Sequence, residues 1–344
     1  MRPEMLFKGS HILSIDQFSV RDLQTLFTVS ERMEPYAARR KMTRVLEGAI
    51  LGNLFFEPST RSRISFGAAF DRLGGSVRDT TGFQFSSMAK GESLYDTSRV
   101  VSGYVDVIVM RHPTIGSVRE FAAATRIPVI SGGDGAGEHP TQALLDLYTI
   151  RKELKRDLSE LRSLKIAMVG DLKFGRTVHS LVKLLSLLED VHFTLVAPLE
   201  LQLPMDLVET ARERGHKVRA TTNLHEGISD VDVIYTTRLQ QERFTSEAEA
   251  EKFRGSYSIT AAIYASFCKP GTVLMHPLPR DSRTGAMELH DDLNSNPQLA
   301  IFRQADNGIP VRMALFALVL GVEHRVEETA RDVSWYVPES IDVN

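Results

Sequence analysis

Ser59-Thr60-Arg61-Ser62-Arg63 brings three hydroxyls and two guanidinium groups within five residues. Hydroxyls donate to anionic oxygens, and a guanidinium fork matches carboxylate or phosphate bidentately. The stretch follows the apolar run Ala49 to Phe56, and Pro58 with Ser59 supplies a strand stop and a capping residue. A helix is expected from about Thr60 to Leu73, because Phe66, Phe70 and Leu73 fall at i, i+4 and i+7 and Gly74-Gly75 follows as the exit. A strand that turns into a helix there presents free backbone N–H groups and the positive end of the helix dipole, so the chemistry expected is phosphate binding. An N-capped helix with two solvated arginines is the plainer alternative.

Four further stretches carry polar groups at the ends of apolar runs. Arg111-His112-Pro113 closes Val105 to Met110, and His139-Pro140-Thr141-Gln142 opens a helix reaching about Leu154. Thr236-Thr237-Arg238-Leu239-Gln240 follows Val231 to Tyr235, and His276-Pro277-Leu278-Pro279-Arg280 follows Thr272 to Met275. The last is otherwise read as a proline-stiffened turn. Gly170-Asp171-Leu172-Lys173-Phe174-Gly175-Arg176-Thr177 has the glycine spacing of a nucleotide P-loop, which makes a phosphohydrolase or kinase the rival enzyme class. Arg176 in place of the P-loop lysine and a carboxylate inside the cradle, Asp171, count against it.

These stretches need elements to position them. Apolar runs alternate with helical patterns throughout, at Lys165 to Gly170, Phe193 to Ala197, Lys217 to Ala220 and onward, which indicates an α/β chain with parallel sheets. At 344 residues, two doubly wound domains joined by helices are expected, with the site in a crevice outside the carboxyl ends of the strands. The domains are placed at 1–154, completed by a C-terminal helix at about 307–321 around the apolar run Val311 to Leu320, and at 155–306. Residues 322–344 form an acidic extension read as an extra helix, an interface arm or a disordered tail. An amphipathic helix is expected from Asp16 to Met33, and a polar loop from Thr81 to Glu92 is free to serve a site.

A formal charge of −3 and the lack of a basic tract argue against nucleic-acid or membrane-surface partners. The single cysteine, Cys268, allows no intrachain disulfide and no thiolate metal cage, and the chain start lacks an apolar signal core. No metal or cofactor is expected, and the cytoplasm is the expected location.

From about residue 6 to residue 320 the chain resembles the aspartate and ornithine transcarbamoylase family. Phe55-Phe56-Glu57-Pro58-Ser59-Thr60-Arg61-Ser62-Arg63-Ile64-Ser65-Phe66 is similar to the family's carbamoyl phosphate signature, and the segments at 139, 170, 236 and 276 match its other motifs in order. The resemblance implies that Ser59, Thr60, Arg61 and Ser62 hold the phosphate. It implies that Thr60, Arg111 and His139 act on the carbonyl oxygen. It further implies that Gln142 and the backbone carbonyls of Pro277 and Leu278 receive the carbamoyl NH₂. Arg176, with Thr177, would hold the α-carboxylate of L-aspartate, and Arg238 and Gln240 its second carboxylate. Pro277 after His276 separates the chain from ornithine-specific members, which carry cysteine there. The implied reaction is transfer of the carbamoyl group to the α-amine of aspartate, the second step of de novo pyrimidine biosynthesis. The implied assembly is a homotrimer with shared sites, Ser86 and Lys90 reaching a neighbour's site. A regulatory chain or higher assembly is left open; Ile115, where regulated assemblies carry an acidic residue, favours an unpartnered trimer. A non-catalytic scaffold of the same family and a transferase for another amino acid are the remaining rivals.

Overall fold

The computed structural model describes residues 5–82, 90–241, 244, 246, 251–283 and 285–337. The chain divides into two compact units, one comprising Met1–Thr141 and Gly308–Asn344 and the other Gln142–Asn307.

The first unit starts with a helical turn over Ile15–Gln17 and then α1, Val20–Ala37. The single helix expected from Asp16 is thus two pieces. Ser19 is the reason: its hydroxyl accepts the Asp22 N–H while Asp22 reaches back to the Ser19 N–H, a capping box that starts the helix afresh. Next come β1 (Lys41–Met42), β2 (Ile50–Phe55), α2 (Thr60–Arg72), β3 (Ser76–Thr81), α3 (Leu94–Val101), β4 (Val107–His112), α4 (Ser117–Ala124) and β5 (Val129–Asp134). The last four strands form one parallel sheet in the order β3-β2-β4-β5. Nearly every residue of β2 and β4 is buried, as a sheet covered on both faces requires.

The second unit is built from α5 (Pro140–Leu154) after its first two residues, β6 (Lys165–Gly170), α6 (Arg176–Leu185), β7 (His192–Val196), α7 (Met205–Glu213), β8 (Lys217–Thr221), α8 (Leu224–Ile228), β9 (Val233–Thr237), α9 (Ala261–Phe267) and β10 (Val273–Met275). Its sheet is also wholly parallel, in the order β10-β9-β6-β7-β8. Ala167, Val169, Val196, Ile234, Leu274 and Ile301 belong to its core. Both sheets are therefore of the doubly wound α/β kind.

Helix α10 runs over Ile301–Val319, ten residues before the apolar run that marks it in the sequence, with Pro310 inside. Its polar first half stays helical because Gln304 and Asn307 are buried and bonded, the latter donating to Thr149 Oγ1 at 3.0 Å. Its apolar half serves the first unit: Phe316 meets the edges of Phe66 and Phe70 at 6.1 and 5.0 Å between ring centres. Arg312 lies over the Phe66 ring and donates to Ser65 Oγ at 2.8 Å, which fixes α2 from below. Beyond it, β11 (Arg331–Asp332) pairs antiparallel with β1, and Thr43 Oγ1 donates to the Val326 carbonyl. The start of the acidic extension is thereby docked on the first unit; residues 338–344 lie outside the described residues.

Candidate active site

In the first unit, Ser59 to Ser62 form the first turn of α2, directly beyond the carboxyl end of β2. Ser59 occupies the capping position in an extended conformation, yet its side chain makes no capping bond. The hydroxyl expected to close the helix is instead available to an incoming anion, as are the first-turn N–H groups. Thr60 and Arg61 are exposed, and Ser59, Ser62 and Arg63 half-buried. Arg63 is turned to Asp79, 3.8 Å away, and its carbonyl accepts from the Asn53 amide.

Strand β4 runs alongside β2, so Arg111 is the register partner of Phe55. The strand continues past Met110 because the Phe56 N–H bonds the Arg111 carbonyl at 2.9 Å. The Arg111 side chain is only 8% exposed; its Nε lies 2.9 Å from Glu57 Oε2 and its Nη1 donates to the Gly132 carbonyl at 3.4 Å. His112 turns away: its Nδ1 accepts the Thr114 N–H, its ring meets Phe56 edge-on, and burial holds its pKa below the ordinary value. His139 is buried immediately before α5, which opens with proline at its first position. Its neighbour Glu138 is tied down by the Ile15 and Asp134 N–H groups, which accounts for the fixed approach to the helix. Ser86 lies outside the described residues, and Lys90 is exposed on the turn that follows them.

In the second unit, β6 ends at Gly170, paired with Thr237 of β9. Gly170 has φ +110°, and a Cβ there would stand 2.3 Å from the Thr237 carbonyl oxygen, so only glycine lets the strands part at this point. Asp171, buried next to it, accepts the Phe174 N–H through Oδ1 and the Gln240 N–H through Oδ2, both at 3.0 Å. One carboxylate thereby joins the loop that delivers Arg176 and Thr177 to the strand end that delivers Arg238 and Gln240. The Phe174 bond counts against the P-loop reading, because an amide that a nucleotide cradle gives to phosphate is here given to Asp171. Arg238 Nη1 donates to the Leu239 carbonyl at 3.0 Å.

The turn after β10 is held from both sides. His276 Nδ1 accepts the Leu278 N–H at 2.8 Å, and its Nε2 lies 2.6 Å from Glu288 Oε1. Leu278 takes a left-handed conformation, φ +58°, and the Leu278–Pro279 bond is cis. Gln304 Oε1 accepts the His276 N–H at 2.9 Å, and Gln304 Nε2 donates to Asp146, which also binds Gln142 and Tyr235. Asp146, Glu57 and Gln304 escaped the motif reading. Gln142 and Asp146 at i and i+4, flanking Ala143-Leu144-Leu145, was the one available signal. Among the described residues, no group of three or more His, Cys, Asp or Glu is arranged to hold a metal, and no helix is long and apolar enough to cross a membrane.

The arrangement supplies an anion-binding helix start with an oriented guanidinium in one unit, and two arginines beside an ordered turn in the other. Residues 10–152 match the model of the aspartate/ornithine carbamoyltransferase carbamoyl-P binding domain, and residues 162–319 that of the Asp/Orn binding domain. The aspartate carbamoyltransferase catalytic subunit of Cellvibrio japonicus is 62% identical over 96% of this chain and 98% of its own, and that of Saccharophagus degradans 61% over the same shares. Among solved structures, aspartate transcarbamoylase from Trypanosoma cruzi in complex with carbamoyl phosphate and aspartate superposes with a TM-score of 0.84 at 41% identity. It covers 92% of this chain and 99% of its own. The catalytic subunit of M. jannaschii aspartate transcarbamoylase gives 0.81 at 43% identity over 89% of this chain and 96% of its own. The chain belongs to the aspartate/ornithine carbamoyltransferase family, on its aspartate carbamoyltransferase side.

Proposed function

We propose that the chain transfers the carbamoyl group of carbamoyl phosphate to the α-amine of L-aspartate, giving N-carbamoyl-L-aspartate and phosphate. The observation that carries this reading is the Asp171 carboxylate bonding both the loop that leads to Arg176 and the strand end that carries Arg238, since two guanidinium groups suit a dicarboxylate. An ornithine side chain would bring an ammonium there instead.

The amine attacks the carbamoyl carbon, the carbonyl oxygen gathers negative charge, and the bond to phosphate then breaks. Thr60, Arg111 and His139 stabilise that oxygen. Ser59, Arg61 and Ser62, with the α2 dipole, stabilise the leaving phosphate, which takes up the proton lost by the amine. Gln142 and the Pro277 and Leu278 carbonyls hold the carbamoyl NH₂; Arg176, Thr177, Arg238 and Gln240 hold aspartate. Positioning and fixed charge supply the rate, without a covalent enzyme intermediate. The working unit is a homotrimer in the cytoplasm, Ser86 and Lys90 of one subunit completing a neighbour's site, and the product enters pyrimidine biosynthesis.

N-(phosphonacetyl)-L-aspartate, which is bound in a Trypanosoma cruzi relative, joins the two substrates in one molecule. Calorimetry should show it binding at least about a hundredfold more tightly than phosphate or aspartate alone. Equal affinities for the three would refute the reading.

A further inference from the structure

Asp146 is fully buried on α5, one turn after Gln142. Its Oδ1 accepts the Gln142 Nε2–H at 2.8 Å and the Gln304 Nε2–H at 2.7 Å, and its Oδ2 accepts the Tyr235 hydroxyl at 2.7 Å. These donors satisfy a carboxylate that water does not reach. Burial, and then the charge of Asp146, push the Tyr235 phenol well above its ordinary pKa, so Tyr235 stays a donor.

A carboxylate accepts and cannot donate, so each amide facing it must present its NH₂. For Gln142 the outward edge is then Oε1. For Gln304, Oε1 is left to accept the His276 N–H, and His276 in turn binds the Leu278 N–H. The turn carrying the Pro277 and Leu278 carbonyls is therefore fixed by the same acid that orients Gln142.

We propose that Asp146 is a positioning residue that makes this receptor acceptor-only, so that it selects an acyl phosphate bearing an NH₂ over one bearing a methyl group of similar size. The inference rests on the carbamoyl phosphate reading above. Leucine at 146 has nearly the shape of aspartate without its acceptor oxygens, so nothing then fixes which edge of the Gln142 amide faces the substrate, and the Gln304 amide loses its anchor.

The test is calorimetric binding of carbamoyl phosphate, acetyl phosphate and inorganic phosphate to the full chain and to Asp146→Leu. The wild type is expected to prefer carbamoyl over acetyl phosphate by about tenfold or more, because acceptors left unpaired against a methyl group are costly. In Asp146→Leu the preference should fall to about threefold or less while phosphate affinity stays within about twofold. A preference that survives with phosphate binding intact overturns the proposal alone. No preference in the wild type overturns the carbamoyl phosphate reading as well. If Asp146→Leu loses phosphate binding through misfolding, Gln304→Met decides. It keeps the volume and the Asp146 to Gln142 bond but unlinks the His276 turn. A loss of preference of about threefold supports the proposal, and an unchanged preference overturns it.

Discussion

Glu57 Oε2 holds Arg111 Nε at 2.9 Å, and the Gly132 carbonyl takes Nη1 of the same guanidinium. Nε and Nη1 are thus both engaged in orienting the guanidinium. A lysine carries the charge as a point and cannot reproduce a planar group held at two nitrogens. Arg111→Lys should therefore fold normally but lose about a hundredfold in kcat, because the lost contact acts on charge that develops in the transition state. Steady-state kinetics with circular dichroism as the folding control checks this, and near-native kcat would contradict it.

Gly170→Ala should be disruptive out of proportion to its size. The added Cβ meets the Thr237 carbonyl at 2.3 Å in a left-handed conformation, at the point where β6 and β9 diverge to carry Asp171 and Arg238. A loss of about 1–3 kcal/mol of stability is expected, with a raised KM for aspartate. Chemical denaturation and initial rates measure the two effects; no change in either would mean that the strand end repacks freely.

Stability should fall on mild acidification. Burial lowers the pKa of His179 below its ordinary 6.5 despite the bond between its Nε2 and the Leu172 carbonyl, and His11 and His112 are shifted the same way. The unfolded chain takes up protons as pH falls through about 6.5, whereas the folded chain resists until lower pH. The contribution is therefore whole above that value and is lost as pH falls through the folded pKa values. Thermal unfolding between about pH 7.5 and about pH 5.5 should show the decline, and His179→Gln should flatten it. A slope unchanged in the variant would remove His179 from the account.

Much of this was legible in the sequence because it is local. The strand-to-helix switch at Phe56 to Thr60 and the glycine at 170 are set by neighbours in the chain, and both lie where the residues place them. Ser59 marks the start of α2 without bonding to it, since a capping residue identifies a position and not the use of its hydroxyl. The polar half of α10 was not legible: Gln304 and Asn307 discourage a buried helix until Asp146 and Thr149, about 158 positions away in sequence, supply their partners. Asp146 itself reads as an ordinary helical acid. Only the fold brings Tyr235 and Gln304 to it.

The shared-site reading of Arg61 and Lys90 can be tested by mixing. Each alanine variant alone should lose about a hundredfold or more in rate, as expected when one charged partner is removed from a substrate anion. Dissociating and reassembling the two together should restore part of the wild-type activity, because a hybrid trimer contains a site with both residues intact. No recovery despite demonstrated hybrids would place Lys90 in its own subunit's site or in none.

The central claim is the pairing of carbamoyl phosphate with a dicarboxylate acceptor, and product formation tests it most directly. Purified protein is incubated with carbamoyl phosphate and either L-aspartate or L-ornithine, without added metal or nucleotide, and carbamoyl product is quantified. The account predicts N-carbamoyl-L-aspartate in stoichiometry with released phosphate, and at least about a thousandfold lower turnover with ornithine, whose ammonium would face Arg176 and Arg238. Equal or faster turnover of ornithine, or no product from aspartate, would contradict it.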